Sequence, residues 1–200
     1  MINYERYSSV KPEEYGKKGV MYYLCRKPSD KKIIPIISRI KNKKVLEVGF
    51  GTGYYTTTFI KNKCKVTGVD INPHLGKNLR IKIIKAKADK FSNHLKNEKF
   101  DVVASFWMTE YLDENQLEKY LKESKKVLKK EGKLITTIIS NRGLGWFYVI
   151  LAMFIRKIRK YGYKNEAIRY KIEKSGFKKI NLIKLNSWLG VPWAYLIIAK

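Results

Sequence analysis

Residues 45–56, VLEVGFGTGYYT, constrain the fold more than any other stretch. An apolar run carries one acid, Glu47, and then three glycines, Gly49, Gly51 and Gly53, on alternate positions. The run predicts a buried strand, and a buried carboxyl is costly unless something pairs with it. The glycines predict a turn between that strand and a following helix, where backbone can approach a ligand closely. A helix N-terminus at the end of such a turn favours negative ligand groups. A positively charged ligand group arriving at Glu47 accounts for the acid.

The rest of the chain fits a sheet built on this unit. Short β-rich runs alternate with helical ones, which predicts a parallel sheet with helices on both faces. Strands are expected at 43–48, 63–70, 80–86, 100–106 and 133–140. A short helix near Asn72–Leu79 separates the second and third. From Asp113 to Lys130, Leu117, Leu121, Val127 and Leu128 recur among charges, the pattern of an amphipathic helix. Gly132 stands where a helix ends. A further helix is expected over Asn165–Ser175, stopping at Gly176. The last two runs, 177–185 and 193–200, are joined by a link with Gly190 and Pro192 that is too short for a helical crossover. The expected architecture is therefore a Rossmann-like α/β fold, a seven-stranded mostly parallel sheet ending in an antiparallel hairpin. Residues 1–42 are expected to form a helical cap, with helices near Tyr15–Arg26 and Asp30–Lys41. Residues 43–200 form the ligand-binding domain, with 141–175 as a lid or insertion.

Two hundred residues suit one domain. A hydrophobic fraction of 44% and an aromatic fraction of 13% exclude a disordered chain. Cys25 and Cys64 show neither metal spacing nor a disulfide framework, so a reducing interior is expected and no metal. The first residues lack the apolar core of a signal peptide. A cytoplasmic location follows as an expectation. The net charge of +26 allows two readings. It reflects a general lysine-rich composition, or it serves a polyanionic surface, either membrane or RNA.

The ligand can be narrowed. The dinucleotide fingerprint G-x-G-x-x-G fails, because Tyr54 stands at its third glycine. Glu47 beside a pyrophosphate would add uncompensated repulsion. S-adenosylmethionine suits the site better, with a sulfonium, an ammonium and one carboxylate. Asp70 ends the second strand, where an acid can accept ribose hydroxyls. In KADKF (87–91), Asp89 can accept from an exocyclic adenine amine with Ala88 and Phe91 about the ring, or can act as a helix N-cap.

These stretches resemble a class I S-adenosylmethionine-dependent methyltransferase of the small-molecule and lipid-modifying branch, over about residues 30–200. VLEVGFGTGYYT is similar to the family's first motif, VTGVDIN to its ribose motif and AKADKF to its adenine motif. FDVVASFWMTEYLDE, LKKEGKLITTIIS and SGFKKINLIKL resemble the fourth-, fifth- and sixth-strand stretches. The resemblance implies cofactor contacts at Glu47, Gly49, Gly51 and Gly53, at Asp70 and Ile71, and at Ala88 and Asp89. Phe50 in the turn and Phe106 at the end of the fourth strand complete the expected cofactor lining. Trp107-Met108-Thr109-Glu110-Tyr111 replaces the family's Glu-Val-Leu-Glu-His, so a tyrosine stands at the usual histidine.

Methyl transfer from a sulfonium needs alignment and exclusion of water more than elaborate catalysis. A hydroxyl acceptor needs a base. Glu110 and Tyr111, past the fourth strand, are the candidates. His74 beside the ribose motif and His94 read as structural. NRGLGWFYVILAMFIRKIRK (141–160) is too short in its apolar part to span a bilayer. It resembles the family's substrate lid. It could also lie at an anionic lipid surface, making the protein peripheral to the membrane. A buried helix with a basic end is the alternative. Tyr15, Trp107, Trp146 and Tyr148 are expected to meet an apolar acceptor. Three functions stand at this point: methylation of a small, hydrophobic or lipid-like acceptor; RNA methylation, although no Asn-Pro-Pro-Tyr-type tetrad follows the fourth strand; or a non-catalytic cofactor-fold binding protein.

Overall fold

The structure, a computed structural model, describes residues 27–141, 147, 150, 161–188 and 191–200. The expected helix at Tyr15–Arg26, most of 141–160 and the candidates Tyr15, Trp146 and Tyr148 lie outside the described residues. The elements run α1 (Lys27–Ser38), β1 (Lys44–Val48), α2 (Thr56–Lys61), β2 (Lys65–Asp70), β3 (Lys82–Lys85), β4 (Phe100–Ser105), α3 (Glu114–Val127), β5 (Leu128–Ile139), α4 (Asn165–Lys174), β6 (Ile180–Trp188) and β7 (Val191–Ala199). Three short 3₁₀ turns, Pro73–Gly76, Ser92–Leu95 and Thr109–Tyr111, stand between them. The segment after Asp70 is thus reduced to a single 3₁₀ turn.

All seven strands join one sheet in the order β3-β2-β1-β4-β5-β7-β6. The pairs among β1 to β5 are parallel, and β7 runs antiparallel to both β5 and β6. Side chains alternate across each strand, so two cores form. Leu46, Val48 and Val103 face one, which Leu117 and Leu121 of α3 and Ile168 and Ile172 of α4 complete. Val45, Val102 and Ala104 face the other, closed by Ile33 and Ile37 of α1 and Phe59 of α2. Helices on both faces and the C-terminal hairpin are therefore as expected.

α3 starts on a capping box. Asp113 accepts from the Gln116 backbone N–H at 2.8 Å, and Gln116 Oε1 accepts from the Asp113 N–H at 3.0 Å. Asp113→Ala should cost about 1 kcal/mol of stability, read as a lower urea midpoint at unchanged slope. An unmoved midpoint would mean that packing alone sets this helix start.

Gly132 does not end the helix. α3 stops at Val127, and Leu128 already pairs with Phe100 in β5. The register then jumps, so that Lys133 is the next partner of β4, opposite Val102. Gly132 belongs to the intervening bulge, where a Cβ would come 3.0 Å from the carbonyl oxygens of both Lys129 and Phe100. A bulge glycine and a helix-ending glycine look alike in sequence. Gly176, with φ +91°, does close α4 as expected. Pro192 lies inside β7, not in the link. It falls in the overhang before β7 pairs with β5 at Ala194, where a strand tolerates a missing N–H.

Candidate functional site

β1 turns Val45 and Glu47 to the same face, and Glu47 ends up 1% exposed. Thr56, the first residue of α2, donates its hydroxyl to Glu47 Oε2 at 2.6 Å. Burial pushes the Glu47 carboxyl up to about 8; the Thr56 bond opposes this and the charge of Asp70 adds to it. With no cation beside it, Glu47 is therefore mostly protonated at neutral pH.

Asp70 closes the neighbouring strand. Its Oδ2 accepts from Gly51 N at 2.9 Å and its Oδ1 from Asn72 N at 2.8 Å. Burial raises its pKa, against the N–H bonds of Asn72, Gly51 and Ile71. A carboxylate offers about four acceptor positions. These backbone bonds fix its orientation and leave capacity for a ligand hydroxyl.

The turn between the two acids depends on Gly49. Its φ is +73°, and a Cβ there would lie 2.4 Å from Met108 Cγ, just past β4. Only a residue without a side chain lets this backbone lie so close to Met108. Gly53 N donates to Phe50 O at 2.9 Å and closes the turn. The Phe50 ring, 4% exposed, packs over Gly68 and Gly76, so Phe50 presents backbone to the turn and buries its ring behind it. α2 begins at Thr56 and has six residues. Its dipole adds little.

The carboxyl edge continues past β4. Phe106 is buried against Tyr55, with ring centroids 4.3 Å apart, and against Phe59. Trp107 takes φ +56°, an outlier for a bulky residue. Its N–H donates to Thr137 Oγ1 at 2.6 Å, which fixes that backbone. Its indole Nε1 donates to Tyr55 OH at 2.9 Å, and Tyr55 donates on to Asp30 Oδ1 at 2.6 Å. Tyr54 donates to Asp30 Oδ2 at 3.0 Å. One buried acid of α1 thus ties the glycine turn to the residue after β4. Sequence reasoning missed Asp30, Thr56 and Thr137. The run TTT at 56–58 does not mark which hydroxyl turns inward, and Asp30 meets Tyr55 across 25 positions.

Glu110 is buried in the Thr109–Tyr111 turn, and its carbonyl accepts from Tyr161 N at 2.6 Å. Tyr111 is half-buried beside it. Tyr163 braces this turn, its hydroxyl donating to Leu112 O at 2.5 Å. Ala88 and Asp89 are half-buried in the turn after β3. Asp89 does not cap the helix that follows, which starts at Ser92 with Phe91 in the capping position. Ile71 is half-buried next to Asp70, and His74 and His94 are exposed. Among the described residues, no group of three His, Cys, Asp or Glu could hold a metal ion.

Residues 46–136, which span the turn, both acids and the post-β4 turn, match a family profile described as "Methyltransferase domain". Over residues 46–136 the chain is similar to this methyltransferase family. No curated protein matches this chain in sequence. Solved structures match its fold closely. A SAM-dependent methyltransferase from Archaeoglobus fulgidus aligns at TM-score 0.70 and 19% identity, over 90% of this chain and 97% of that one. A protein from Pyrococcus horikoshii OT3 aligns at 0.71 and 18%, over 98% of both chains. Magnesium protoporphyrin IX methyltransferase from Synechocystis PCC 6803, solved with bound SAH, aligns at 0.66 and 13%, over 92% of this chain and 88% of that one. Among the described residues, no helix is long and apolar enough to cross a membrane.

Proposed function

We propose that this chain is an S-adenosylmethionine-dependent methyltransferase acting on a small, hydrophobic or lipid-like acceptor, held where Trp107, Tyr55 and Tyr54 meet the glycine turn. The observation that carries the cofactor half is the pair of buried acids, Glu47 and Asp70, flanking a turn that only glycine can make. A neutral pocket would not pay the desolvation cost of two carboxyls, whereas a ligand with an ammonium and a diol offsets it. In this reading Glu47 meets the amino-acid end of S-adenosylmethionine, Asp70 accepts the ribose hydroxyls, and Asp89 with Ala88 faces the adenine. Ile71, Phe50 and Phe106 shape the walls. The cofactor supplies an activated methyl group.

The chain's own residues do the rest. The hydrogen bonds from Trp107 to Tyr55 and on to Asp30 set a rigid aromatic wall, which aligns an apolar acceptor and excludes water. In this reading Glu110 and Tyr111, in the turn beyond Trp107, take a proton from a hydroxyl or amine acceptor. An apolar wall of this kind agrees with the tetrapyrrole acceptor named for the Synechocystis enzyme. Contact with a membrane surface would bring a lipid-like acceptor to it.

Asp70→Ala should weaken S-adenosylhomocysteine binding about tenfold or more in calorimetry, since charge-assisted hydrogen bonds contribute about 1.5–3 kcal/mol. Unchanged affinity would place the ribose elsewhere. For the acceptor, lysate lipids and RNA are incubated with methyl-labelled cofactor and the parent protein. Label in the organic phase is expected, and label confined to RNA would overturn the lipid-like reading.

A further inference from the structure

The lysines are not spread evenly over the fold. The parallel strands begin at one end of the sheet, opposite the glycine turn, and each begins at a lysine or next to one. β1 starts at Lys44 after Lys43, β2 at Lys65 and β3 at Lys82, and Lys99 precedes β4. The β5 bulge carries Lys129 and Lys130, with Lys133 after it, and Lys179 immediately precedes β6. β7 runs the other way, so its last residue is followed at this same end by Lys200. The opposite end of the same strands bears Glu47, Asp70 and Glu110, and Lys85 is the one lysine that ends a described strand there. A composition bias alone would decorate both ends.

Two of the three acids within the band, Glu98 and Asp101, are already matched by lysines, and Glu131 in the bulge is exposed. Glu98 takes Lys44 at 2.8 Å and also Lys82, and those two hydrogen bonds hold its carboxyl down at about 2. Asp101 takes Lys129 at 2.8 Å. The surplus crowds itself: desolvation, then repulsion from Lys200 and Lys43, holds the Lys133 ammonium below its usual range. A folded chain gains nothing from such crowding, but a polyanion relieves it.

We propose that this lysine edge docks the phosphate backbone of a nucleic acid, holding the methyltransferase on a polyanion while its site faces away. Seven strands spaced about 4.8 Å apart make an edge about 29 Å long, enough for roughly eight phosphates of one strand at about 3.4 Å each. Geometry separates this surface from the site by the length of β1, about 17 Å for five residues. The nucleic acid is therefore a dock and not the methyl acceptor. An anionic membrane fits less well. Interfacial lipid binding uses large apolar side chains beside the cations, and of the large exposed apolar residues described, Ile60 and Tyr170 are the ones toward this end, on separate helices.

The test compares two charge-reversed variants of equal net charge. One carries Lys43→Glu, Lys65→Glu, Lys130→Glu and Lys179→Glu at the edge. The other carries Lys31→Glu, Lys119→Glu, Lys164→Glu and Lys184→Glu, all exposed and away from it. Anisotropy of labelled RNA and DNA oligonucleotides of about 20 nucleotides is read across a salt series. The edge variant should lose about tenfold or more in affinity and flatten the salt slope, while the control loses about twofold or less. Equal losses would show that total charge, not this edge, binds. Loss of binding to phosphatidylglycerol vesicles with nucleic-acid binding intact would assign the edge to a membrane and overturn the proposal. S-adenosylhomocysteine affinity should be the same in both variants, so a failed cofactor assignment and a failed dock are told apart. If the glutamate variant unfolds, the same four lysines changed to glutamine give the comparison with half the charge change.

Discussion

Glu47→Gln should make the ligand-free protein more stable and the cofactor complex weaker. The wild-type carboxyl has a folded value of about 8 against an ordinary 4.5. Between those values the folded state keeps a proton that the unfolded state has released. The folded state thus binds more protons, and stability falls as pH rises through this window, by up to about 1.4 kcal/mol per pH unit for one group. Below about pH 4.5 both states are protonated and the term vanishes. Glutamine removes it and can still accept from Thr56. The variant should therefore match the parent near pH 4 and exceed it increasingly toward pH 8, by on the order of a few kcal/mol, in urea titrations at each pH. Binding should move the other way. An ammonium at Glu47 stabilises the carboxylate, so in the parent each binding event near pH 7 releases a proton. Calorimetric heats in buffers of different ionisation enthalpy should show that release, and the variant should lose both it and about tenfold or more in affinity at pH 8. Parallel stability curves for parent and variant would sink the buried-acid account. Buffer-independent heats alone would mean the ammonium lies elsewhere.

The reason this site could be read from sequence is that its chemistry is local. Glu47 sits in an apolar run, and three glycines follow on alternate positions, so strand, turn and buried acid lie within nine residues. Asp70 is legible for the same reason, as an acid ending an apolar run one βα unit later. What could not be read is set by long-range pairing. Asp30, Tyr55 and Trp107 form one hydrogen-bonded line from three separate elements. Gly132 carries the same composition cue whether it ends a helix or fills a bulge, and only the jump in pairing between β4 and β5 decides. The lysine edge has both characters. KVLEV, KVTGVD and KIIK each open on lysine in plain view. That those lysines stand side by side follows from the strand order, which no local pattern encodes.

The largest loss of stability is expected at Phe50, whose ring connects the glycine turn to the sheet. The ring is 4% exposed and lies against two glycines. A Cβ added at Gly68 would stand 2.6 Å from Phe50 Cδ1 and 2.9 Å from Ile81 Cδ1, and one at Gly76 would stand 2.3 Å from Phe50 Cε2. Phe50→Ala should cost about 3–5 kcal/mol, the range for emptying a buried aromatic site. Gly68→Ala should cost about 1–3 kcal/mol by overpacking, since a ring edge held on both sides cannot swing clear. The two effects share one cause, so they should not add. Phe50→Leu with Gly68→Ala should be more stable than the sum of the single changes by about 0.5–3 kcal/mol, because the smaller side chain makes room for the new methyl. Urea unfolding of the four proteins of that cycle measures the coupling. Affinity for S-adenosylhomocysteine should fall in Phe50→Ala even where the protein is still folded. The backbone between Gly49 and Gly51 loses the ring that anchors it, and Gly51 N can drift from Asp70. Strict additivity in the cycle would mean the ring does not rest on Gly68. An unchanged affinity in folded Phe50→Ala would mean the turn holds its shape without that anchor.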